Sequence, residues 1–191
     1  MNSAKSCPGK SSSRKIGRII GIVITAAVLV FGVLLTVYGI RGMKKNNGYF
    51  ENIPWGTEVD EVKEIIDKKF GVDSKIRGSG RNRIDTVLPE YEGISDTEII
   101  AHFDNKDTHG LEEVGIVFGH ADSELYEEIL SRFEKRYGSS TAFEDGVCWK
   151  AKKSIIHMSY SNDLGGIINV AYIDPSSTDY RVTELKKALG E

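Results

Sequence analysis

The sequence predicts an α+β protein: one N-terminal transmembrane helix, then two helices packed on one face of a five- to six-stranded antiparallel sheet, and a short C-terminal helix. Three observations lead to this fold class. The stretch Ile19–Ile40 contains 22 residues and no charge. Two later segments repeat apolar residues at helical spacing. Several short segments alternate apolar and polar residues, as half-buried strands do.

The uncharged stretch Ile19–Ile40 is predicted to cross a membrane. A helix of this length measures roughly 33 Å, which matches the hydrocarbon core of a bilayer. A cleaved signal peptide is the alternative interpretation. The apolar run is longer than the 7–15 residues or so that are usual in signal peptides, which favours an uncleaved anchor.

The charges divide the chain sharply. Residues 1–47 hold eight Lys and Arg and no acidic residue, whereas the other 17 Lys and Arg and all 28 Asp and Glu follow, so that 48–191 carries −11. Charge and hydropathy together predict a disordered basic tail at 1–18, the span at 19–40, a linker at 41–52, an α+β domain at 53–175 and a C-terminal helical tail at 176–191.

The flanking charges predict the orientation. Five positive residues precede the span and three follow it. By the positive-inside rule the N-terminus is cytoplasmic, and the domain lies outside the cell membrane. An acidic domain does not attract phosphate backbones, so a nucleic-acid partner is not expected.

Two amphipathic helices are predicted in the domain. The first covers about 58–70, with Thr57 as N-cap, Gly71 as stop and an apolar stripe of Val59, Val62, Ile66 and Phe70. The second begins at Asp122 or Ser123, ends at Gly138 and has a stripe of Leu125 or Tyr126, Ile129, Phe133 and Tyr137. A short C-terminal helix capped by Thr178 or Asp179 carries Val182, Leu185 and Leu189.

Alternation and turn residues predict the strands. They are expected at 84–88, ending at Pro89, and at 98–104, 113–119, 147–152, 155–160 and 166–173. The segments 104–110 and 162–166 have turn compositions. Between helices and sheet, the predicted core contains Trp55, Phe103, Phe118, Phe133 and Trp149.

The two halves of the domain resemble each other. Ile66-Asp-Lys-Lys-Phe-Gly71 aligns with Phe133-Glu-Lys-Arg-Tyr-Gly138, and each half is predicted as one helix followed by three strands. The sequence therefore suggests a degenerate α-β-β-β repeat.

Several short motifs in the domain resemble a known group of proteins. Ile53-Pro-Trp-Gly before an acidic helix, the strand His102-Phe-Asp-Asn with Leu111, and Lys135-Arg-Tyr-Gly before the Trp149 strand are similar to extracytoplasmic domains of Gram-positive bacterial surface proteins. Those domains resemble in turn the folds of β-lactamase-inhibitor proteins and of small outer-membrane-assembly lipoproteins. The resemblance covers about residues 50–174. It implies protein binding rather than catalysis, and it transfers no functional residue.

The sequence contains no motif for a nucleotide, a cofactor or a metal. Gly78-Ser-Gly80-Arg81 lacks the ending of a P-loop, and the H-E-x-x-H, C-x-x-C and G-x-S-x-G motifs do not occur. Asp104–Asp107 has the composition of a turn and lacks the spacing of a calcium loop. Cys7 and Cys148 are expected on opposite sides of the membrane, so no disulfide is predicted.

Strand parity places a mixed set of residues on the sheet face opposite the two helices. The predicted binding face contains His102, Lys150, Ile155, His157, Asn169 and Ile173. Apolar groups ringed by polar ones are typical of a protein-binding patch, so Ile155 and Ile173 are the expected contacts. The alternative is that the C-terminal helix folds back through Val182, Leu185 and Leu189 and covers this patch.

Two functions are compatible with these patterns. The first is a single-pass membrane protein whose non-catalytic extracytoplasmic domain binds a protein or a cell-envelope component. The alternative is a membrane-tethered hydrolase or metal-binding enzyme that uses Cys148, His102 and His157 on the same face. Convergence of these three side chains in one cleft would favour the enzyme.

The charge distribution makes the orientation testable. A protease added to intact spheroplasts should digest the acidic domain and leave the basic N-terminal tail intact, because only the domain is expected outside. Immunoblots with tags at the two termini measure this result. Protection of the C-terminal tag until the membrane is permeabilised would reverse the predicted orientation.

Overall fold

The structure is a computed structural model that describes residues 48–104, 110–162 and 165–191. The predicted basic tail and the predicted span Ile19–Ile40 lie outside these residues, as do most of the linker and the turn residues 105–109. Among the described residues, no helix combines the length and the apolar character needed to cross a membrane.

Three helices and eight strands make up the described domain, after a helical turn at Phe50–Asn52. In chain order they are α1 (Val59–Phe70), β1 (Lys75–Arg77), β2 (Arg83–Tyr91), β3 (Ile94–Phe103), β4 (Leu111–Gly119), α2 (Ser123–Tyr137), β5 (Thr141–Phe143), β6 (Gly146–Lys150), β7 (Ile155–Ser161), β8 (Ile167–Ile173) and α3 (Tyr180–Ala188).

All eight strands form one antiparallel sheet in the order β1-β2-β3-β4-β8-β7-β6-β5. The α+β class is confirmed, but the predicted number of five to six strands is too low. The strands missing from the prediction are β1 and β5, which have three residues each and lie at the two edges. Segments this short cannot display an alternating pattern.

The internal repeat is larger than the sequence suggests. Each half of the domain consists of one helix, a glycine that ends it, and four strands rather than three. The last strands of the two halves, β4 and β8, pair at the centre of the sheet, where Glu113–Gly119 face Ile167–Ile173 in unbroken register.

Local signals account for most helix ends. Gly71 adopts the left-handed conformation with φ 68° after α1, and Asp122 accepts the Leu125 N–H at 2.8 Å before α2. The prediction of Thr57 as N-cap is wrong. Its hydroxyl donates to the Pro54 carbonyl at 2.7 Å, and Glu58 occupies the cap position without a side-chain hydrogen bond.

The sequence predicts that β2 ends at Pro89. This prediction is wrong, because the strand continues to Tyr91. β1 pairs only with Arg83–Asp85, so Pro89 lies where this strand is the edge of the sheet. The register with β3 passes over Pro89. An edge position tolerates proline because the missing N–H removes no bond to a neighbouring strand.

Helices α1 and α2 pack on one face of the sheet, which we call the inner face. Their buried residues Val62, Ile66, Ile129 and Phe133 belong to one core cluster. The strand residues in this cluster alternate with outward-facing ones as parity predicts, among them Ile99, Ala101, Phe103, Val114, Ile116, Phe118, Trp149, Ile156, Met158, Ile168, Val170 and Tyr172. The two helices of the predicted architecture therefore lie on one side.

Four of the five aromatic residues predicted in the core are buried: Phe103, Phe118, Phe133 and Trp149. Trp55 is only half-buried, and its indole N–H donates to the Lys153 carbonyl at 2.6 Å. Phe50, in the predicted linker, is 1% exposed and lies 5.7 Å from the Tyr172 ring. The core therefore extends into the segment predicted as linker.

Phe133 is central to the inner core, with ring centroids 5.6 Å from Trp149 and 6.4 Å from Tyr172. Replacing it with Ala should lower the free energy of unfolding by about 3–5 kcal/mol, through lost burial and a cavity. Urea unfolding of the full chain measures this loss. The control Val87→Ala removes a side chain that is 69% exposed and should change stability by less than about 0.5 kcal/mol. Equal losses in both variants would contradict the packing.

Candidate functional site

The candidate site lies on the outer face of the sheet, which is the side opposite α1 and α2. Four of the six predicted binding residues lie in one row across this face. His102 is paired with Glu113, Glu113 with Ile173, Ile173 with Ile155, and Ile155 with Lys150. His157 and Asn169, the other two, lie further along the strands on the same face, as Ile155 and Ile173 do by alternation.

Helix α3 covers much of this row. Ile155 and Ile173 are each 2% exposed and belong to a second apolar cluster, the outer cluster, with Cys148, Ala171, Val182 and Leu185. These two side chains are therefore not exposed contact residues, and the predicted helix-free face carries a helix. The alternative given by the sequence, a C-terminal helix folded over the patch, describes the structure.

The length of α3 fits the row that it crosses. Nine helical residues span about 13.5 Å, and the three strand intervals from β4 to β6 span about 14 Å. One ion pair lies at each end of the segment: Arg181 binds Glu113 at 2.5 Å, and Lys150 binds Glu191 at 2.5 Å. Partly exposed pairs contribute at most about 1 kcal/mol each, so apolar burial supplies most of the docking energy.

His157 lies in the middle of the covered area. It faces Cys148 on β6 and Ala171 on β8 across the strand pairs, and it is 7% exposed. Burial lowers its pKa, and the positive charge of Arg181 lowers that pKa further, against the opposing effect of Asp145, Glu144 and Glu113. The imidazole is therefore neutral at pH 7.

The structure does not bring together the three residues of the alternative enzyme site, His102, Cys148 and His157. Cys148 and His157 are adjacent, but His102 lies on β3, three strands from β7 and so about 14 Å away. Burial raises the pKa of the Cys148 thiol, the reverse of what an activated thiolate requires. Within the described residues, no three His, Cys, Asp or Glu side chains are placed to hold a metal ion.

A polar cavity of about 340 Å³ opens where the N-terminal end of α3 meets β3 and β4. Its lining combines two predicted site residues, His102 and Ile173, with Glu112, Glu113, Ser177, Asp179, Arg181 and Val182. Two of these charged groups already have structural roles, since Asp179 caps α3 and Arg181 pairs with Glu113. The cavity marks the boundary between the covered and the open parts of the outer face.

The part of the outer face that α3 leaves open lies on β2, β3 and β4. Val87 is 69% exposed there, one of two large apolar side chains exposed among the described residues. It pairs with Glu98, which pairs in turn with Val117. His102 is exposed on the same face, four residues along β3 from Glu98 and so about 13 Å from it. The prediction missed Val87, because this strand departs from the usual pattern: the polar Thr86 is buried and the apolar Val87 is exposed.

Comparisons with protein-family models, with curated proteins and with solved structures find no match to this chain. The functional argument therefore depends on the charge pattern of the sequence and on the geometry of the outer face.

The cover formed by α3 can be tested with two neighbouring residues. Both residues belong to α3. Leu185 lies on the side that faces the sheet and is 0% exposed, whereas Thr183 is exposed. Leu185→Ala should lower the free energy of unfolding by about 2–5 kcal/mol, and Thr183→Ala should change it by less than about 0.5 kcal/mol.

Deletion of residues 176–191 extends this test. The truncated chain should aggregate, because it presents Ile155 and Ile173 to water, and light scattering after size-exclusion chromatography measures this outcome. A truncated chain that stays monomeric with unchanged stability would show that α3 is not a necessary cover.

Proposed function

We propose that this chain is a single-pass membrane-anchored protein whose extracytoplasmic domain binds a protein or cell-envelope partner without catalysing a reaction. The uncharged stretch Ile19–Ile40 supports the anchor. The five positive residues before the span and the three after it support an N-terminus in the cytoplasm. The resemblance to extracytoplasmic domains of Gram-positive surface proteins remains part of the proposal.

The unequal cover of the two sheet faces is the observation that carries the binding proposal. Two helices of 12 and 15 residues pack on the inner face, whereas one helix of nine residues covers part of the outer face. An antiparallel sheet can leave one face in water, and such a face is normally polar. Here Val87 is exposed beside Glu98, and His102 is exposed on the same face about 13 Å along the strand, an arrangement that suits a protein contact.

The charge of the domain indicates the chemistry of its partner. Residues 48–191 carry −11, which favours partners with a basic surface and accelerates their association at low salt. It disfavours nucleic acid, whose phosphates would be repelled.

Photo-crosslinking in the native membrane tests the proposal. A photoreactive amino acid at His102, on the open outer face, should give a discrete crosslinked product. The same amino acid at Glu127, on the exposed side of α2, should not. Val87→Asp should lower the yield at His102 by about tenfold or more, because a charge would replace a buried contact at the centre of the interface.

A measurement of thermal stability shows whether a lower crosslinking yield reflects lost binding or lost folding. The thermal unfolding midpoint of Val87→Asp should equal that of the unsubstituted chain, since the side chain is exposed in the isolated domain. Equal products from His102 and Glu127, or an unchanged yield in Val87→Asp, would contradict binding at this face.

A further inference from the structure

The interface between α3 and the sheet contains a buried imidazole without a complete set of partners. His157 is 7% exposed, and its Nε2 atom has no hydrogen-bond partner among the described residues. The ring of Phe143 meets it edge-on, with centroids 5.4 Å apart and planes at 89°. A neutral imidazole is tolerated in these surroundings, whereas a charged one would be strongly disfavoured.

Charged groups approach His157 from several elements. Arg181 on α3 has the same sign as a protonated imidazole, and it already binds Glu113 of β4. Glu144 and Asp145, in the β5–β6 turn, are of opposite sign and favour protonation, but less than burial and Arg181 oppose it. Cys148 on β6 is a thiol whose pKa is raised by burial, so it stays neutral.

Helix α3 is the element that can separate from the sheet when His157 becomes protonated. It has nine residues at the C-terminal end of the chain, and an isolated helix of that length is unstable in water. Its buried residues Val182 and Leu185 pack on the outer cluster, apart from the inner core. Peripheral elements of this kind open at a lower free energy than the whole fold.

We propose that His157 is an acid-sensitive latch: protonation of its imidazole releases α3 from the outer face and exposes Ile155 and Ile173 as additional binding surface. That the exposed residues then bind a partner rests on the proposed function. The release of α3 is a property of the chain alone.

The titration of histidine determines how the docking equilibrium of α3 changes with pH, in direction and in size. In the released state the pKa is near the ordinary value of about 6.5, and in the docked state it is lower. Docking is therefore strongest above pH 6.5 and weakens as the pH falls below it. Between pH 7.5 and pH 5.0 the equilibrium shifts toward release by up to about 30-fold, the limit for an imidazole that protonates only when released.

Cys148 supplies a built-in reporter for release. It is 0% exposed beneath α3, and Cys7 is the only other cysteine of the chain. In the full chain with Cys7→Ser, the rate of labelling by 4,4′-dithiodipyridine is measured at pH 7.5 and 5.0. Each rate is divided by that of the same chain unfolded in denaturant at the same pH.

The normalised rate should rise several-fold to about 30-fold at pH 5.0. His157→Leu and His157→Gln, two uncharged replacements of different polarity, should abolish this rise. His102→Gln, at an exposed histidine on the same face, should retain it. An equal rate at both pH values in the Cys7→Ser chain would overturn the latch, as would an acid response that persists in either His157 variant.

Amide hydrogen exchange in the same chain separates release from unfolding. Acid should lower the protection factors of the Tyr180–Ala188 amides, each the intrinsic exchange rate at that pH divided by the observed rate, while the protection factors in the paired strands β4 and β8 stay unchanged. An equal fall of the protection factors in the strands would mean global destabilisation and would overturn the proposal. No partner is present in either assay, so these results are independent of the crosslinking at His102, which tests the proposed function alone.

Discussion

The pairing of β4 with β8 is the interaction on which the rest of the domain depends. The chain builds two similar halves, each of one helix and four strands, and each half ends in a strand of the central pair. Seven consecutive residue pairs join Glu113–Gly119 to Ile167–Ile173, and in the described part of the domain this is the only pairing between strands of the two halves. Because Val114, Ile116, Val170 and Tyr172 are buried on the inner side of this pair, the two helices share one continuous core.

The central strand pair also determines which residues lie on the outer face, because strand residues point alternately to the two faces. Once alternation turns Val170 and Tyr172 inward, Ala171 and Ile173 must point outward. These residues and Ile155 create an apolar area that neither α1 nor α2 can reach. Helix α3 covers this apolar area by crossing the strands with Val182 and Leu185 facing the sheet. The open area around Val87 has no corresponding cover among the described residues.

The two faces also differ in how extensively the residues that cover them are packed. The inner core contains Trp149, Phe133 and Tyr172 in mutual contact, so its loss amounts to unfolding. The outer cluster is small and encloses an imidazole whose Nε2 atom has no hydrogen-bond partner among the described residues. The proposed release of α3 would therefore change the outer surface of the domain and leave its inner core in place.

The sequence by itself determined the features that depend on local periodicity. The helices that end at Gly71 and Gly138 and the inward direction of Phe103 and Trp149 follow from patterns within about one turn or one strand. The caps were narrowed only to two neighbouring residues each, and the structure selects Asp122 and Asp179. Even the apolar stripe of Val182 and Leu185 was visible, because an amphipathic helix displays its buried side in its spacing.

Only the tertiary structure decided what each of these faces touches. Parity shows that Ile155 and Ile173 share a side of the sheet, but the order of the strands and the path of the chain after Pro175 determine that α3 covers them. The separation of His102 from Cys148 and His157 depends on the insertion of β4 and β8 between their strands. Such contacts join residues far apart in the chain, and their free energy depends on the complete packing rather than on any local pattern.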